Sequence, residues 1–347
     1  MKAARLHENS NRLVIEEVPD PVLRPGSVVV RLEAVFVPPF IAGMIEDSSG
    51  YQTPPRPFTP GMDAIGVIEG VAPDVSGVAL GDRVYCDSYY QSPNPSAEED
   101  FSFIGCFGMG RAAGRLLEHW RDGAFAEKMV LPGECVTPLP RADLASPAVL
   151  CRLGWFGTAY GALVKAGFRP GQSLAINGAT GLVGAGAILV ALAMGARKII
   201  AIGRSKPVLK ALGALDARVM ATSEPADQKV DVVLDSISGN ATASTERMLG
   251  MLRRGGTAVL VGSVSEPLHV SLDWLVLNDM TIRGSLWFPR PAIRDLLGMI
   301  DSGALDLSAI RAHPYPLSEI GSAIQATGQH CHGLDHVALI CSSAPAP

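Results

Sequence analysis

The sequence predicts an α/β protein that combines a doubly wound parallel sheet with a second, β-rich domain. Its 347 residues suffice for two domains, each with its own core. In the first third, short β-branched runs such as 27–34 and 64–70 are punctuated by Pro and Gly, which is typical of strands and turns. After Ser146-Pro147, a typical helix start, strand-like and helix-like segments alternate, which predicts a parallel sheet.

The alternation can be assigned segment by segment. Strands are predicted at 173–177, 198–202, 230–234, 258–261 and 280–284, with helices at 182–195 and 207–213. The tail from residue 291 returns to helix and a last strand at 337–340. Segment 85–122 departs from the strand pattern. It contains a Ser/Pro/Glu-rich loop at 91–100 and a short helix at 111–120, and we expect it over an active-site cleft or at an edge.

Composition narrows the class of protein. Hydrophobic residues make up 48% of the sequence and charged residues 18%. The net charge is −5, and the charged residues form no block of one sign. This predicts an ordered globular enzyme with neither nucleic acid nor a membrane as partner. The N-terminus lacks a signal-peptide pattern, and the apolar stretch 182–202 is interrupted by Gly, Arg and Lys. Six scattered cysteines indicate reduced thiols, so a cytoplasmic location is expected.

The strongest motif spans residues 174–186, where an apolar strand enters a glycine-rich turn that opens a small-residue helix. Ala179, Gly181 and Gly184 hold the three small positions of the dinucleotide-binding fingerprint. They permit the tight turn, the approach of backbone to a pyrophosphate, and close helix packing, and the helix N-terminus favours the phosphates. The alternative is an ordinary glycine-rich turn. The cofactor residues predicted from this turn are Ala179, Thr180, Gly181, Leu182, Val183 and Gly184.

The end of the next strand indicates which nicotinamide cofactor binds. An NAD enzyme places Asp or Glu there to accept from the ribose 2′-hydroxyl. This chain has Gly203, followed by Arg204, Ser205 and Lys206. Two cations and a hydroxyl suit a 2′-phosphate, so a Rossmann domain that binds NADP(H) is predicted. The alternative is a solvated basic surface turn.

Motifs along nearly the whole chain resemble the medium-chain dehydrogenase/reductase superfamily, in its zinc-free quinone reductase and enoyl reductase branches. They lie at 1–5, 15–21, 60–68, 81–84, 122–127, 158–163, 179–184 and 254–256. The resemblance implies a GroES-like catalytic domain, residues 1–146 and 290–347, around a Rossmann NADP-binding domain, residues 147–289. It also implies further cofactor contacts from Thr158, Asp235, Ser236, Val261, Gly262, Ser263, Gly284, Ser285 and Leu286.

The positions that hold zinc in zinc-dependent members differ here. Val37, Pro38 and Met62 replace the first ligands, and Cys151 would be left alone near the third position. A catalytic zinc site needs three protein ligands, so no metal is predicted. Only Cys86 and Cys106 lie in the region of the structural zinc loop. The cluster His330, Cys331, His332 and His336 could gather a metal, but solvated turn histidines are the favoured interpretation.

Without zinc, reduction requires another source of the product's proton. Tyr51, in the sequence Ser-Gly-Tyr at 49–51, matches the proton-donating tyrosine of the enoyl reductases that the chain resembles. An equally good alternative is a loop tyrosine that covers the cleft, and Asp63 is expected to hold a loop. Large side chains that could line a pocket for a bulky, apolar small molecule, or simply pack in the core, are Phe40, Met62, Tyr89, Trp155, Trp287 and Phe288.

The sequence thus predicts a zinc-independent, NADPH-dependent reductase that transfers hydride to an activated C=C or C=O, in an enone, enoyl thioester or quinone. Two alternatives remain: a zinc-free, alcohol dehydrogenase-like tailoring enzyme of a biosynthetic pathway, and a non-catalytic NADPH-binding protein. The resemblance further implies a homodimer, formed by edge strands near 280–286 and the apolar run 272–277.

Overall fold

The structure is a computed structural model that describes residues 1–8, 10–46, 50–92, 100–141, 143–225 and 227–341. Contacts divide the chain into two compact units. The first unit comprises Met1–Leu153, Arg311–Cys331 and His336–Pro347, and the second comprises Gly154–Ile310 and His332–Asp335. No helix in the described ranges is long and apolar enough to span a membrane.

The first unit is rich in short strands, as the sequence predicts. Its strands are β1 (Lys2–Leu6), β2 (Leu13–Glu17), β3 (Ser27–Phe36), β4 (Ala64–Val71), β5 (Arg83–Cys86), β6 (Tyr89–Gln91), β7 (Phe101–Phe103), β8 (Phe107–Met109), β9 (Lys128–Pro132), β10 (Val136–Pro138), β17 (Arg311–Pro316) and β18 (Asp335–Ile340). Its helices are α1 (Ile41–Ile45), α2 (Ala113–His119), α3 (Pro147–Leu150) and α10 (Ile320–His330).

Strand β3 is the centre of this unit. It is buried along nearly its whole length and pairs antiparallel with β4, β9 and β18. The main sheet of the described part runs in the order β10-β5-β4-β3-β18-β17, with β9 on β3. Because β18 comes from the end of the chain, the C-terminal segment completes a sheet that the N-terminal segment begins.

Segment 85–122 contains more structure than the sequence predicts. The predicted helix is present as α2, but β6, β7 and β8 also form a small antiparallel sheet. These strands have three residues each, too few for an alternating pattern to stand out. Residues 93–99, most of the predicted loop, lie outside the described part.

The second unit alternates strand and helix around a parallel sheet, which confirms the predicted doubly wound α/β fold. Its strands are β11 (Ser173–Asn177), β12 (Lys198–Ile202), β13 (Val219–Thr222), β14 (Val230–Asp235), β15 (Leu252–Leu260) and β16 (Thr281–Gly284). Its helices are α4 (Leu153–Lys165), α5 (Leu182–Ala193), α6 (Lys206–Gly213), α7 (Thr242–Leu249), α8 (Leu272–Leu277) and α9 (Pro291–Asp301).

In the described residues the sheet order is β13-β12-β11-β14-β15-β16, and every pairing is parallel. The chain moves one way along the sheet after β11 and the other way after β14. Ligands of such sheets bind where the strand order reverses, beyond the carboxyl ends of the strands. The end of β11 is therefore the expected place of a site.

The division between the units falls later in the chain than the boundaries 146/147 and 289/290 predicted from the sequence. Helix α9 explains the difference at the C-terminal boundary. It buries Ile293, Leu296 and Leu297, and the hydroxyl of Tyr160 on α4 donates to Asp295 at 2.9 Å. These contacts join α9 to α4 within the second unit.

Candidate cofactor and catalytic sites

The turn after β11 is tight and leads directly into α5. Gly178 has a φ of +80°, which favours glycine. A Cβ on Gly184 would lie 2.3 Å from the carbonyl oxygen of Gly178, so only glycine lets α5 pack against the turn. The amide of Ala179 donates to the carbonyl of Ile202 at 2.9 Å and ties the turn to β12. The N-terminus of α5 is thereby fixed beyond the strand ends.

A cavity of about 840 Å³ lies at this end of the sheet within the second unit. It is large enough for a sizeable ligand. Residues that follow β11, β12, β13 and β14 form its walls, together with one face of α7. They are Asn177, Gly178, Thr180, Gly181, Ile202, Gly203, Arg204, Ser223, Glu224, Pro225, Ser236, Ile237, Ser238, Asn240, Ala241, Ser244 and Arg247.

Five of the residues predicted to bind the cofactor line this cavity: Thr180, Gly181, Gly203, Arg204 and Ser236. The sequence did not indicate Glu224, Asn240, Ser244 or Arg247. Ala241, Ser244 and Arg247 are spaced by three residues, so a helix prediction over 242–249 would have placed them on one face.

Gly203 is constrained by the side chain of Thr180. A Cβ at residue 203 would lie 2.5 Å from Thr180 Cγ2 and 2.9 Å from its Oγ1. An Asp or Glu at this position would therefore displace Thr180. The packing of Thr180 therefore accounts for the absence of an acidic residue at position 203.

The predicted basic turn is divided between two places. Arg204 lines the large cavity, whereas Lys206 lines a separate shallow depression with Lys210 and Ser223. Ser205 is the residue before the first turn of α6, and its side chain makes no capping hydrogen bond. Arg204 is thus the cation of this turn that faces the cavity.

Asp235 and Ser236 stabilise the loops around the cavity. The buried Asp235 carboxylate accepts from the Asn177 side chain at 3.0 Å and from the amide of Ile237 at 3.1 Å. The hydroxyl of Ser236 donates to the carbonyl of Asn177 at 2.9 Å. Gly262 packs on the same loop, since a Cβ there would lie 1.7 Å from the carbonyl oxygen of Ile237. Only glycine at position 262 therefore allows the loops after β14 and β15 to pack this closely.

The remaining predicted cofactor residues lie on several other elements of the second unit. The Thr158 hydroxyl donates to the carbonyl of Gly154 within α4, and Leu182 is buried at the start of α5. Ser285 is buried after β16, and its hydroxyl has no hydrogen-bond partner among the described residues. Val183, Val261, Ser263, Gly284 and Leu286 are partly or fully exposed.

In the first unit, the positions predicted to lack zinc ligands are apolar and buried. Val37 and Met62 are core residues. The thiol of Cys151 donates to the carbonyl of Ala148 at 3.2 Å and lies 4.0 Å from His336 Nε2. Burial raises the pKa of this thiol well above its usual range. No group of three or more His, Cys, Asp or Glu in the described ranges could hold a metal ion. These residues do not fit a catalytic zinc site.

Asp63 follows Met62 and has contacts that anchor a loop. Its backbone has a φ of +40°, and the Tyr85 hydroxyl donates to its Oδ1 at 3.0 Å. Burial raises the pKa of Asp63 well above the usual range, and the nearby Asp87 adds to the shift. Burial likewise raises the pKa of Tyr85. Tyr85 is completely buried, so this pair is remote from solvent and suited to holding the segment in place.

Three glycines fix the backbone before Asp63. A Cβ on Gly123 would lie 2.1 Å from the carbonyl oxygen of Gly61 and 2.8 Å from Cα of Gly105. Gly61 itself has a φ of +110°. The segment that carries Met62 and Asp63 is therefore packed backbone to backbone against two other loops.

Replacing Gly123 with alanine is expected to destabilise the protein by about 3 kcal/mol, the upper range for overpacking a dense core. Gly328→Ala is the matched control in the same unit, because residue 328 lies in α10 and an added Cβ there would enter open space. That control should stabilise by up to about 1 kcal/mol through helix propensity. Urea unfolding of both variants checks the prediction, and equal midpoints would contradict the described packing.

Tyr51 is 42% exposed, and its ring stacks on Phe107 with centroids 4.5 Å apart. The ring of Phe40 packs edge-on against Phe107, with ring centroids 6.5 Å apart. The amide of Gly108 on β8 donates to the carbonyl of Gln52 at 2.9 Å. The small sheet in segment 85–122 therefore positions Tyr51, a role for this segment that the sequence did not predict.

The same sheet links Tyr89 to this group. Phe103 lies 5.3 Å from Tyr89 and 4.9 Å from Phe107, measured between ring centroids. The structure thus brings Phe40, Tyr51 and Tyr89 into one row of aromatic rings, and leaves Met62 in the core.

The pocket residues predicted in the second unit are mainly packing residues. The buried Phe288 presses on α4, where a Cβ on Gly157 would lie 2.6 Å from its ring. Trp287 stacks on Phe288 at 4.8 Å with a φ of +47°. Trp155 lies on α4 and is partly buried.

The histidine-rich segment differs from the predicted solvated turn at one position. His336 lies in β18, fully buried, and stacks on Phe36 at 5.6 Å. Its Nε2 is 2.7 Å from the carbonyl oxygen of Ala148. The strand begins at Asp335, two residues earlier than predicted, and this takes His336 into the sheet. His330 instead stacks on His313 at 4.0 Å.

Comparison with known protein families agrees with both units. The family "Alcohol dehydrogenase GroES-like domain" matches residues 24–141, and the family "Zinc-binding dehydrogenase" matches residues 183–302. The first unit is therefore GroES-like and the second is the Rossmann-type partner of such a domain.

Relatives cover almost the whole chain. An alcohol dehydrogenase from Moraxella sp. is 30% identical over 329 residues, which are 90% of this chain and 92% of that protein. An acryloyl-coenzyme A reductase from Sulfurisphaera tokodaii is 28% identical, over 84% of this chain and 86% of that one. Among solved structures, an alcohol dehydrogenase from Thermus sp. ATN1 superposes with a TM-score of 0.82 at 25% identity, covering 99% and 100% of the two chains.

The fold and these relatives define a nicotinamide-dependent oxidoreductase. The chain belongs to the medium-chain dehydrogenase/reductase superfamily. The superfamily predicted from the sequence is thereby confirmed.

Proposed function

We propose that this protein is an NADPH-dependent reductase that transfers hydride, without zinc, to an activated C=C or C=O of an enone, enoyl thioester or quinone. The observation that carries the proposal is the cavity beyond β11. There Thr180 occupies the space of the acidic residue that NAD enzymes use, and Arg204 faces the cavity. Relatives named acryloyl-coenzyme A reductase support an activated double bond as acceptor.

The residues of the second unit fit NADP(H). The glycine turn at 178–181 and the N-terminus of α5 would hold the pyrophosphate, and Arg204 would hold the 2′-phosphate. When bound, NADPH supplies the hydride. The protein's task is then to position the acceptor, exclude water and provide a proton.

Tyr51 is the proposed source of that proton. Its hydroxyl belongs to a half-exposed ring held by Phe107, whereas Tyr85 is buried on Asp63. A phenol that a substrate can reach, on a ring with a fixed orientation, suits general acid catalysis. The aromatic row from Phe40 to Tyr89 supports a bulky, apolar substrate.

The second candidate function is a zinc-free, alcohol dehydrogenase-like tailoring reaction in a biosynthetic pathway. The alcohol dehydrogenases among the relatives favour it. NADPH oxidation should be followed with enones, enoyl thioesters, quinones and aldehydes, and NADP⁺ reduction with alcohols. Turnover of any of the first three classes supports the proposal. Activity with alcohols alone supports the second candidate, and binding without turnover supports a non-catalytic NADPH-binding protein.

We expect purified protein to retain full activity after dialysis against a strong chelator. The reason is that Val37 and Met62 cannot ligate zinc and Cys151 is turned to Ala148. Elemental analysis before and after dialysis checks the outcome. One zinc per chain, lost together with activity, would contradict it.

A homodimer is also proposed, formed through β16 at the edge of the parallel sheet. Helix α8, just before this edge, leaves Leu272 and Val276 each 77% exposed and Leu277 72% exposed. An unpaired edge beside exposed apolar side chains suits pairing with a second copy.

Light scattering at micromolar concentration should therefore give about twice the chain mass of 36.4 kDa. Val276→Lys should shift the protein toward monomer, while Val164→Lys, at another exposed valine of the second unit, should not. A monomeric unmodified protein would refute the proposal.

A cytoplasmic location is proposed as well. None of the six cysteines, each within the described ranges, forms a disulfide, and five of them are buried. Reduced thiols of this kind are usual in a reducing compartment.

A further inference from the structure

The wall of the large cavity in the second unit includes a cationic side chain that the sequence did not indicate. Among the described residues, three charged side chains line it: Arg204, Arg247 and Glu224. Within the described ranges neither arginine side chain makes a hydrogen bond or ion pair. Arg204 and Glu224 together have no net charge, so the wall is positive only because of Arg247. A dianionic phosphate would be poorly bound by Arg204 beside Glu224 alone.

The fold places the two arginines on different walls. Arg204 follows β12, Arg247 lies on α7 after β14, and β11 separates these strands in the sheet. The orientation of α7 is set by Ser244, whose hydroxyl accepts from the Asn177 side chain at 3.2 Å. Ala241, Ser244 and Arg247 then present one face of the helix to the cavity.

We infer that Arg247 is a second arginine for the 2′-phosphate of NADP(H), which it approaches from α7, a different wall of the cavity from that of Arg204. The inference rests on the proposed use of NADP(H). Two guanidinium groups can offer forked hydrogen bonds to one phosphate, and the second also offsets the repulsion by Glu224. Selectivity for the phosphorylated cofactor then depends on α7 as well as on the basic turn after β12.

Calorimetric titration with 2′,5′-ADP and with 5′-AMP tests this, because the two probes differ only in the 2′-phosphate. We expect Arg247→Ala to weaken 2′,5′-ADP binding about tenfold and to change 5′-AMP binding less than about twofold. Arg247→Lys should weaken 2′,5′-ADP binding less than Arg247→Ala does, since lysine keeps the positive charge but cannot form the forked pair of hydrogen bonds. Glu224→Gln should tighten 2′,5′-ADP severalfold, both alone and combined with Arg247→Ala.

The outcomes separate this inference from the proposed function. If Arg204→Ala weakens 2′,5′-ADP and Arg247→Ala does not, the role of Arg247 is overturned while NADP(H) use stands. An equal loss for both probes would make Arg247 a contact of the adenosine 5′-phosphate that they share and overturn its role at the 2′-phosphate. If the unmodified protein binds the two probes equally, the proposed use of NADP(H) itself fails.

Discussion

Replacing Arg204 with alanine is expected to weaken NADPH binding by about 10²-fold and to leave NADH binding almost unchanged. Charge-assisted hydrogen bonds contribute about 1.5–3 kcal/mol each, and the cofactors differ only in the phosphate that such bonds would reach. Most of an expected NADPH preference on the order of 10² to 10³ should disappear with this side chain. Fluorescence titration of both cofactors measures the effect.

Lys210→Ala is the matched control for this prediction. Lys210 lies on α6, near the same turn, but lines the shallow depression instead of the large cavity. Its removal should change NADPH affinity less than about twofold, as for an ordinary surface charge. Added salt should also reduce the preference of the unmodified protein, since the cavity is open to solvent. Equal losses in the Arg204 and Lys210 variants would indicate only a diffuse surface field.

Replacing Tyr51 with phenylalanine is expected to lower kcat by about 10²-fold, the low end for general acid catalysis. The phenyl ring can keep its stacking on Phe107, so the fold and NADPH affinity should be preserved. Steady-state kinetics on the best acceptor, with cofactor titration alongside, measures both quantities.

Tyr90→Phe provides the comparison for Tyr51. Tyr90 lies in the same small sheet, and its ring contacts Trp120 at 6.0 Å. Loss of its hydroxyl should leave kcat within about twofold, because it has no proposed role in proton transfer. If Tyr51→Phe also keeps full turnover, Tyr51 is a pocket wall and the product's proton comes from another group.

Where the chain's conformation is fixed locally, the sequence predicted it closely. The strand at 198–202 has the predicted bounds, and Gly184, one of the three predicted small positions of the turn, has room only for glycine. Alternating apolar runs and positive φ values leave a direct mark on residue type. The parallel sheet followed from these signals alone.

Features that depend on tertiary packing were missed. The strands β6, β7 and β8 are too short for a pattern, and they are stabilised by contacts such as that between Phe103 and Phe107. Strand β13 has four residues and was also not predicted. His336 was expected in a solvated turn but lies in the core of the sheet.

The candidate site shows the same division. Arg204 could be identified because it follows a recognisable strand end. Glu224 and Arg247 come from a connection and a helix that reach the cavity only when the sheet is assembled. The charges of Glu224 and Arg247 determine the electrostatics of the site, yet neither residue belongs to a recognisable sequence motif. Sequence reasoning therefore pointed to the cavity proposed for the cofactor and left its charge balance undetermined.

The dissociation constants of NADPH and NADH for the unmodified protein, measured side by side at low ionic strength, test the central claim most directly. They require no knowledge of the acceptor. The site described here predicts that NADPH binds at least about 10²-fold more tightly than NADH. Equal affinities, or tighter binding of NADH, would contradict it.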